Sequence, residues 1–168
     1  LAADVQAGER FHVERVAQVE RALEGVDLLV GVHPDAHAQR ELGGGLFQPL
    51  VEKAHELRVV VVGSEIFTAS IDASKTSRGR IDWRQLDAKE GVKWERATLP
   101  APLRARIFRL MKRLGLMSGA LDFIVTPDGR HVFLEVNPAG EWGWLERDLG
   151  YDISGAFARA LIQGARRP

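Results

Sequence analysis

Residues 120–137, ALDFIVTPDGRHVFLEVN, are the stretch that decides the fold. They contain two runs of β-branched and aromatic residues, 120–126 and 131–137, on either side of the turn sequence Pro127-Asp128-Gly129. Proline, aspartate and glycine favour tight turns, and the flanking runs favour extended backbone. The stretch therefore predicts an antiparallel β-hairpin.

The register of this hairpin decides which side chains share a face. If Asp128-Gly129 closes the turn as a two-residue loop, Asp122 lies directly opposite Glu135, and Asn137 joins them because side chains alternate along a strand. The other face is then apolar and is expected to join the core; its members are Phe123, Val125, Val132, Leu134 and Val136. A three-residue loop is the alternative, and it would break this register.

The shared face makes Asp122, Glu135 and Asn137 a candidate magnesium site. Two carboxylates that face each other on neighbouring strands repel, so the arrangement needs a cation or an arginine between them. Carboxylate and amide oxygens suit Mg²⁺, which keeps few protein carboxylates and completes its octahedron with water and substrate phosphates. On geometry alone, a hairpin with solvated carboxylates explains the pattern equally well.

The rest of the C-terminal part predicts more sheet and two helices. Residues 57–62 and 65–71 flank Gly63-Ser64 and predict a second hairpin. Helical spacing of apolar residues predicts one helix over 102–114 and another over 153–163. Together these elements predict an α+β fold in which an antiparallel sheet is backed by helices.

The N-terminal part is less regular. Residues 9–25 predict an amphipathic helix, and residues 26–32 predict a short buried strand. The glycine cluster 43–45 marks a boundary between residues 1–45 and 46–168.

Composition narrows the class of protein. The 23 basic residues balance the 23 acidic ones, which argues against nucleic acid as the main partner. There is no cysteine, so disulfides and thiolate metal sites are excluded. The sequence has no apolar run approaching the roughly 20 residues that span a bilayer, so no membrane partner and a cytoplasmic location are expected.

Five short runs occur in one order along the chain: FQPLV at 47–51, ELRV at 56–59, DWR at 82–84, GALDF at 119–123 and FLEVNPAGEWGW at 133–144. This order resembles the ATP-grasp superfamily, most closely the peptide-maturing ligases of the microviridin type and less closely the ribosomal-protein glutamate ligases. The resemblance covers roughly residues 46 to 163. It implies that the chain carries the C-terminal nucleotide- and metal-binding part of such a ligase.

The resemblance also implies roles for individual residues. Asp122, Glu135 and Asn137 would be the magnesium ligands, with Glu135 bridging two ions. Arg58 and Arg84 would bind phosphate, since a forked guanidinium matches pairs of oxygens. Either arginine, taken alone, also fits an exposed charge or a surface ion pair.

The run from Gln48 to Val51 resembles the hinge strand that holds the adenine edge. Many relatives carry an acidic residue where this chain has Pro49. Proline offers a carbonyl but no donor, so Pro49 C=O and Val51 N–H are the candidate contacts. Lys53 is expected to be exposed, with an approach to phosphate as the alternative. Trp142 and Trp144 are expected to be packing anchors, with stacking on a base or peptide as the alternative.

The implied activity depends on ATP and Mg²⁺. A carboxylate attacks the γ-phosphate, and an amine or hydroxyl on a peptide or protein captures the resulting acyl phosphate. Residues 1–45 lack the lysines expected of the family's preceding lobe, so that segment is interpreted as divergent or truncated. The alternatives are a non-catalytic module that binds metal, nucleotide or only a partner, and a structural or dimerisation remnant; a homodimer is left open.

Overall fold

A computed structural model describes residues 27–28, 51–72 and 93–165 of the chain. These ranges form six strands: β1 Asp27–Leu28, β2 His55–Val62, β3 Glu65–Ile71, β4 Glu95–Arg96, β5 Ser118–Val125 and β6 His131–Asn137. They also form three helices: α1 Ala101–Arg113, α2 Gly143–Leu149 and α3 Ile153–Ala165. The predicted helix at 9–25, the glycine cluster, Gln48, Pro49 and Arg84 lie outside the described residues.

The strands form one sheet in the order β1-β6-β5-β2-β3-β4. All neighbours pair antiparallel except β1, which pairs parallel with β6. In the hairpin formed by β2 and β3, Val62 lies opposite Glu65, so Gly63 and Ser64 form the predicted two-residue turn. Gly63 has a φ of +59°, which L residues rarely adopt, and this explains the glycine there. The predicted α+β fold is confirmed.

Helices cover both faces of the sheet. The amphipathic helix α1 packs Leu103, Ile107 and Leu110 against a core that includes Val59 and Leu121. On the other face, residues of α2 and α3 pack with sheet residues in a second core, which contains Val60, Val62, Ala69, Ala120, Leu145, Ile153 and Ala156. The central strand β2 is therefore buried from both sides, with Val59, Val60, Val61 and Val62 at most 1% exposed.

The hairpin formed by β5 and β6 does not have the two-residue loop. The Thr126 N–H donates to Arg130 O at 3.0 Å and Val125 lies opposite His131, so the loop has three residues. A β-bulge between Asp122 and Phe123 then shifts the register by one residue. Because Leu134 is the extra residue of the bulge, Asp122 again lies opposite Glu135. The loop is therefore the three-residue alternative, yet it does not break the pairing of the two carboxylates, which is as expected for the two-residue closure.

The bulge also changes which side chains of β6 face α1. Phe133 lies opposite Phe123, and the two rings meet edge to face with centroids 5.5 Å apart. Phe133 therefore takes the core position that the sequence assigned to Val132 and Leu134. Val132 is buried but lies opposite Ile124, on the other face of the sheet. Leu134 is only half-buried.

Candidate functional site

Three candidate residues form one row across the centre of the sheet. Arg58 on β2 lies opposite Asp122 on β5, and Asp122 lies opposite Glu135 on β6. Asn137 lies opposite Ala120, two residues along β5 from Asp122. Directly opposed residues share a face, as do residues two apart on one strand, so all four lie on the face that α2 and α3 cover.

Arg58 and Asp122 form a buried ion pair. Each residue is 7% exposed. Arg58 Nη1 donates to both oxygens of Asp122, each at 3.0 Å, and Nη2 donates to the Glu141 carbonyl at 2.9 Å. Arg58 Nε is buried and has no hydrogen-bond partner among the described residues. The arginine thus neutralises one of the two carboxylates that the sequence places face to face.

Glu135 and Asn137 are exposed at the end of the same row. The Ala139 N–H donates to Asn137 Oδ1 at 3.0 Å, and the Gly140 N–H donates to the Asn137 carbonyl at 3.2 Å. A side-chain oxygen held by the amide two residues on is typical of asparagine in a turn. This contact fixes the direction of Oδ1 and leaves it a second lone pair.

The turn after Asn137 passes very close to the sheet at Gly140. A Cβ built on Gly140 would lie 2.5 Å from the Ala120 Cβ and 3.0 Å from Arg58 Nη2. Only glycine allows the backbone to approach this closely. The approach carries the Glu141 carbonyl to Arg58, so the turn connects Asn137 with the buried arginine.

The donor set fits a magnesium ion shared with a phosphate ligand. Asp122, Glu135 and Asn137 supply hard oxygen donors, and none of them is a sulfur or imidazole ligand. Within residues 51–72 and 93–165 no cluster of three or more histidine, aspartate or glutamate side chains could hold a metal ion. Two carboxylates and an amide suit an ion that takes its remaining ligands from water and phosphate.

A second buried ion pair lies at the start of β2, where the sequence predicted an exposed lysine. Lys53 Nζ lies 2.6 Å from Glu56 Oε1, and the two side chains are 6% and 9% exposed. That expectation was wrong, because Lys53 is among the buried residues. Val51, the candidate adenine contact within the described residues, is half-buried two residues before Lys53.

Aromatic residues fix the chain that follows the turn. Trp142 stacks on Phe157, with ring centroids 5.2 Å apart. The rings of Trp144 and Trp94 also meet, with centroids 4.9 Å apart. Both tryptophans of the WGW run are partly buried against the core under α2 and α3, as the packing interpretation predicts. They hold α2 on the face of the sheet that carries the polar row.

The end of α2 is held by Arg96 from the edge strand β4. Arg96 Nε and Nη2 donate to the carbonyls of Leu149 and Gly150 at 2.7 and 2.6 Å. Its guanidinium lies 4.5 Å above the centre of the Tyr151 ring. A cation at a helix C-terminus satisfies carbonyls that have no partner within the helix.

Solved structures of peptide-modifying ligases match this fold and sequence. Macrocyclase MdnC from Microcystis aeruginosa MRC, solved with its precursor peptide MdnA, is 40% identical over 70% of this chain and 35% of its own, with a TM-score of 0.59. Macrocyclase MdnB from the same organism is 37% identical over 87% of this chain and 52% of its own, with a TM-score of 0.63.

A third match is the Chryseobacterium gregarium RiPP-associated ATP-grasp ligase, solved with ADP and with a leader and core peptide. It is 30% identical over 72% of this chain and 36% of its own, with a TM-score of 0.62. The ATP-grasp ligase PsnB, 21% identical with a TM-score of 0.55, supports the fold alone. No family model matches the sequence, and no curated protein matches it.

The fold is that of an ATP-grasp ligase. Within that class, the resemblance to the microviridin-type peptide-maturing ligases is confirmed. The chain spans between 35% and 52% of the length of these three solved ligases. Among the described residues, none of the helices is long and apolar enough to cross a membrane.

Proposed function

We propose that this chain is the nucleotide- and magnesium-binding part of an ATP-dependent ligase that joins a carboxylate to an amine or hydroxyl of a peptide or protein. One observation carries the proposal: Arg58, Asp122 and Glu135 form a continuous row with Asn137 beside it, on one face of the sheet. The identity of 40% to MdnC, which was solved with a precursor peptide, supports a peptide substrate.

In this proposal Asp122, Glu135 and Asn137 hold the metal. Glu135, which is exposed, and Asn137, whose oxygen is oriented by its own turn, would hold the metal together with Asp122. Asp122 would also keep its pairing with Arg58. Bound magnesium would neutralise charge on the triphosphate and polarise the phosphoryl group that is transferred.

Arg58 then stabilises negative charge on the transferring phosphoryl group. Its guanidinium is preorganised because Asp122 and the Glu141 carbonyl already hold two of its nitrogens. Arg84 is the second phosphate ligand in the proposal, and Gln48, Pro49 and Val51 hold the adenine edge. The proposed boundary separates a divergent N-terminal segment, 1–45, from the binding domain, 46–168.

A non-catalytic binding module is the second candidate. The ion pair between Arg58 and Asp122 neutralises the buried carboxylate without a metal, and Glu135 is exposed, so burial of charge in the row does not require the ion. Such a module would bind nucleotide and metal, or a partner, without transferring phosphate.

Calorimetric titration distinguishes these candidates. The ligase proposal expects ATP to bind in the presence of Mg²⁺ and binding to weaken when EDTA removes the metal. It also expects ADP release that depends on a peptide bearing a carboxylate and a nucleophile. Metal-dependent binding without ADP release would identify a module that binds nucleotide. An absence of heat with millimolar Mg-ATP would exclude the ligase and leave only a module that binds a partner.

A further inference from the structure

The Arg58 guanidinium is held in an uneven way. A forked guanidinium usually binds a carboxylate through two of its nitrogens. Here Nη1 alone donates to both Asp122 oxygens, and Nη2 is directed to the Glu141 carbonyl instead. Nε is left buried without a partner among the described residues. The ion pair between Arg58 and Asp122 therefore departs from the usual two-nitrogen geometry, because Nη2 donates to the backbone of the turn instead.

That contact exists because Gly140 allows it. The turn is pinned at Asn137 by two hydrogen bonds, and it then passes over Ala120 and Arg58. A side chain at position 140 would meet the Ala120 Cβ at 2.5 Å, on a buried strand that has no room to move. It would also meet Arg58 Nη2 at 3.0 Å.

We infer that Gly140 is a positioning residue for Arg58: by carrying the Glu141 carbonyl onto Nη2, it sets the orientation of the guanidinium. The inference rests on the proposed function only for what that orientation serves, the binding of a phosphate by Arg58. The orientation itself is a property of the protein without ligand. Asn137, a proposed metal ligand, is the first residue of the same turn.

The test is a nuclear magnetic resonance measurement of the Arg58 Nε–H signal, assigned by its loss in Arg58→Lys. Gly140→Ala is expected to shift this signal and to speed its exchange with water. The matched control is Gly143→Ala, because a Cβ at Gly143 meets no atom within 4 Å. The control should leave the signal unchanged.

A double variant separates positioning from packing. Adding Ala120→Gly to Gly140→Ala removes the 2.5 Å contact but keeps the 3.0 Å contact with Arg58 Nη2. The melting temperature should recover toward that of Ala120→Gly alone, while the Arg58 signal should stay shifted. If the signal also returns to its wild-type position, Gly140 only makes room for Ala120 and the inference is overturned. An unshifted signal in folded Gly140→Ala would overturn it as well.

The measurement uses protein without nucleotide. An unshifted Arg58 signal would therefore overturn the positioning role of Gly140 without affecting the proposed function. An absence of Mg-ATP binding would overturn the proposed function, and the Arg58 signal would still test the positioning role.

Discussion

Arg58 and Asp122 lie opposite each other on neighbouring strands, and one arginine nitrogen donates to both carboxylate oxygens at 3.0 Å. Both residues are buried beside an all-valine stretch of β2. Charges in such surroundings are stable only when paired. The ion pair therefore neutralises two buried charges at the centre of the sheet, and it also orients Arg58 in the candidate site.

Asp122→Ala tests the structural half of this role. It leaves the Arg58 cation buried without its carboxylate, and loss of one partner of a buried pair costs about 3–5 kcal/mol. Urea unfolding should report this as a lower midpoint. Asp122→Asn keeps an acceptor for Nη1 and should lose clearly less stability. Equal losses for the two variants would show that the charge of Asp122 is unimportant.

Lys53 and Glu56 give a second test of buried charge. Glu56→Ala removes the carboxylate that lies 2.6 Å from the buried Lys53 Nζ and should lower the free energy of unfolding by about 3–5 kcal/mol. The double variant Lys53→Met with Glu56→Leu should recover most of the loss, since apolar replacements of buried pairs are often neutral. Arg147→Ala removes one partner of an exposed ion pair and is the control, for which no change is expected.

The sheet also predicts a dependence on pH near neutrality. Burial, and then the charge of His55, lowers the pKa of His131 below its ordinary 6.5. A lowered pKa means that protonation favours the unfolded chain. Stability is therefore full above pH 6.5 and is lost as the pH falls through the lowered pKa of the folded state.

Titration of the His131 ring protons checks the direction of this shift. His55→Asn removes the neighbouring charge, and the pKa of His131 should then rise partway toward its ordinary value, since burial remains. His131→Gln should flatten the loss of stability below pH 6.5. A His131 that titrates above its ordinary range would contradict the prediction.

The fold was predictable where the spacing of apolar residues and the positions of turn-forming residues indicate the same element. Gly63-Ser64 between two β-rich runs and the helical spacing from Leu103 to Leu110 each allow one interpretation, and both are confirmed. The short elements were missed. Strand β4 has two residues, and α2 has seven within a glycine- and tryptophan-rich run, which is too short for a periodic signal.

The placement of the candidate residues on the strands was predictable in part, but their contacts were not. Alternation along strands placed Asp122 and Glu135 together even though the loop length was misjudged, because the bulge at Leu134 offsets the extra loop residue. No local signal reveals such compensation. Repulsion between the two carboxylates called for a cation or an arginine, but the direct contact of Arg58 with Asp122 depends on which strand lies beside β2. The two residues are 64 positions apart, and no local signal reveals that pairing.

Glu135→Ala tests the proposed metal and nucleotide site most directly. A ligand that binds only the folded state adds RT ln(1 + [L]/Kd), about 2.7 kcal/mol at a hundredfold excess over Kd. For a chain of this size, that is a rise in Tm of about 5–10 °C. Wild-type protein should show this rise with Mg-ATP, or with Mg-ADP if the site is weakened, and Glu135→Ala should abolish it.

Two further results make the test specific. Without ligand, Glu135→Ala should change stability by less than about 0.5 kcal/mol, because Glu135 is exposed and Arg58 already neutralises Asp122. Glu95→Ala removes an exposed glutamate from the opposite face of the sheet, since Glu95 lies opposite Ser70 and Ser70 opposite Leu57. It should keep the full rise in Tm. A rise that survives Glu135→Ala would place the nucleotide elsewhere, and a wild-type curve unmoved by millimolar Mg-ATP would remove the ligase proposal for this chain.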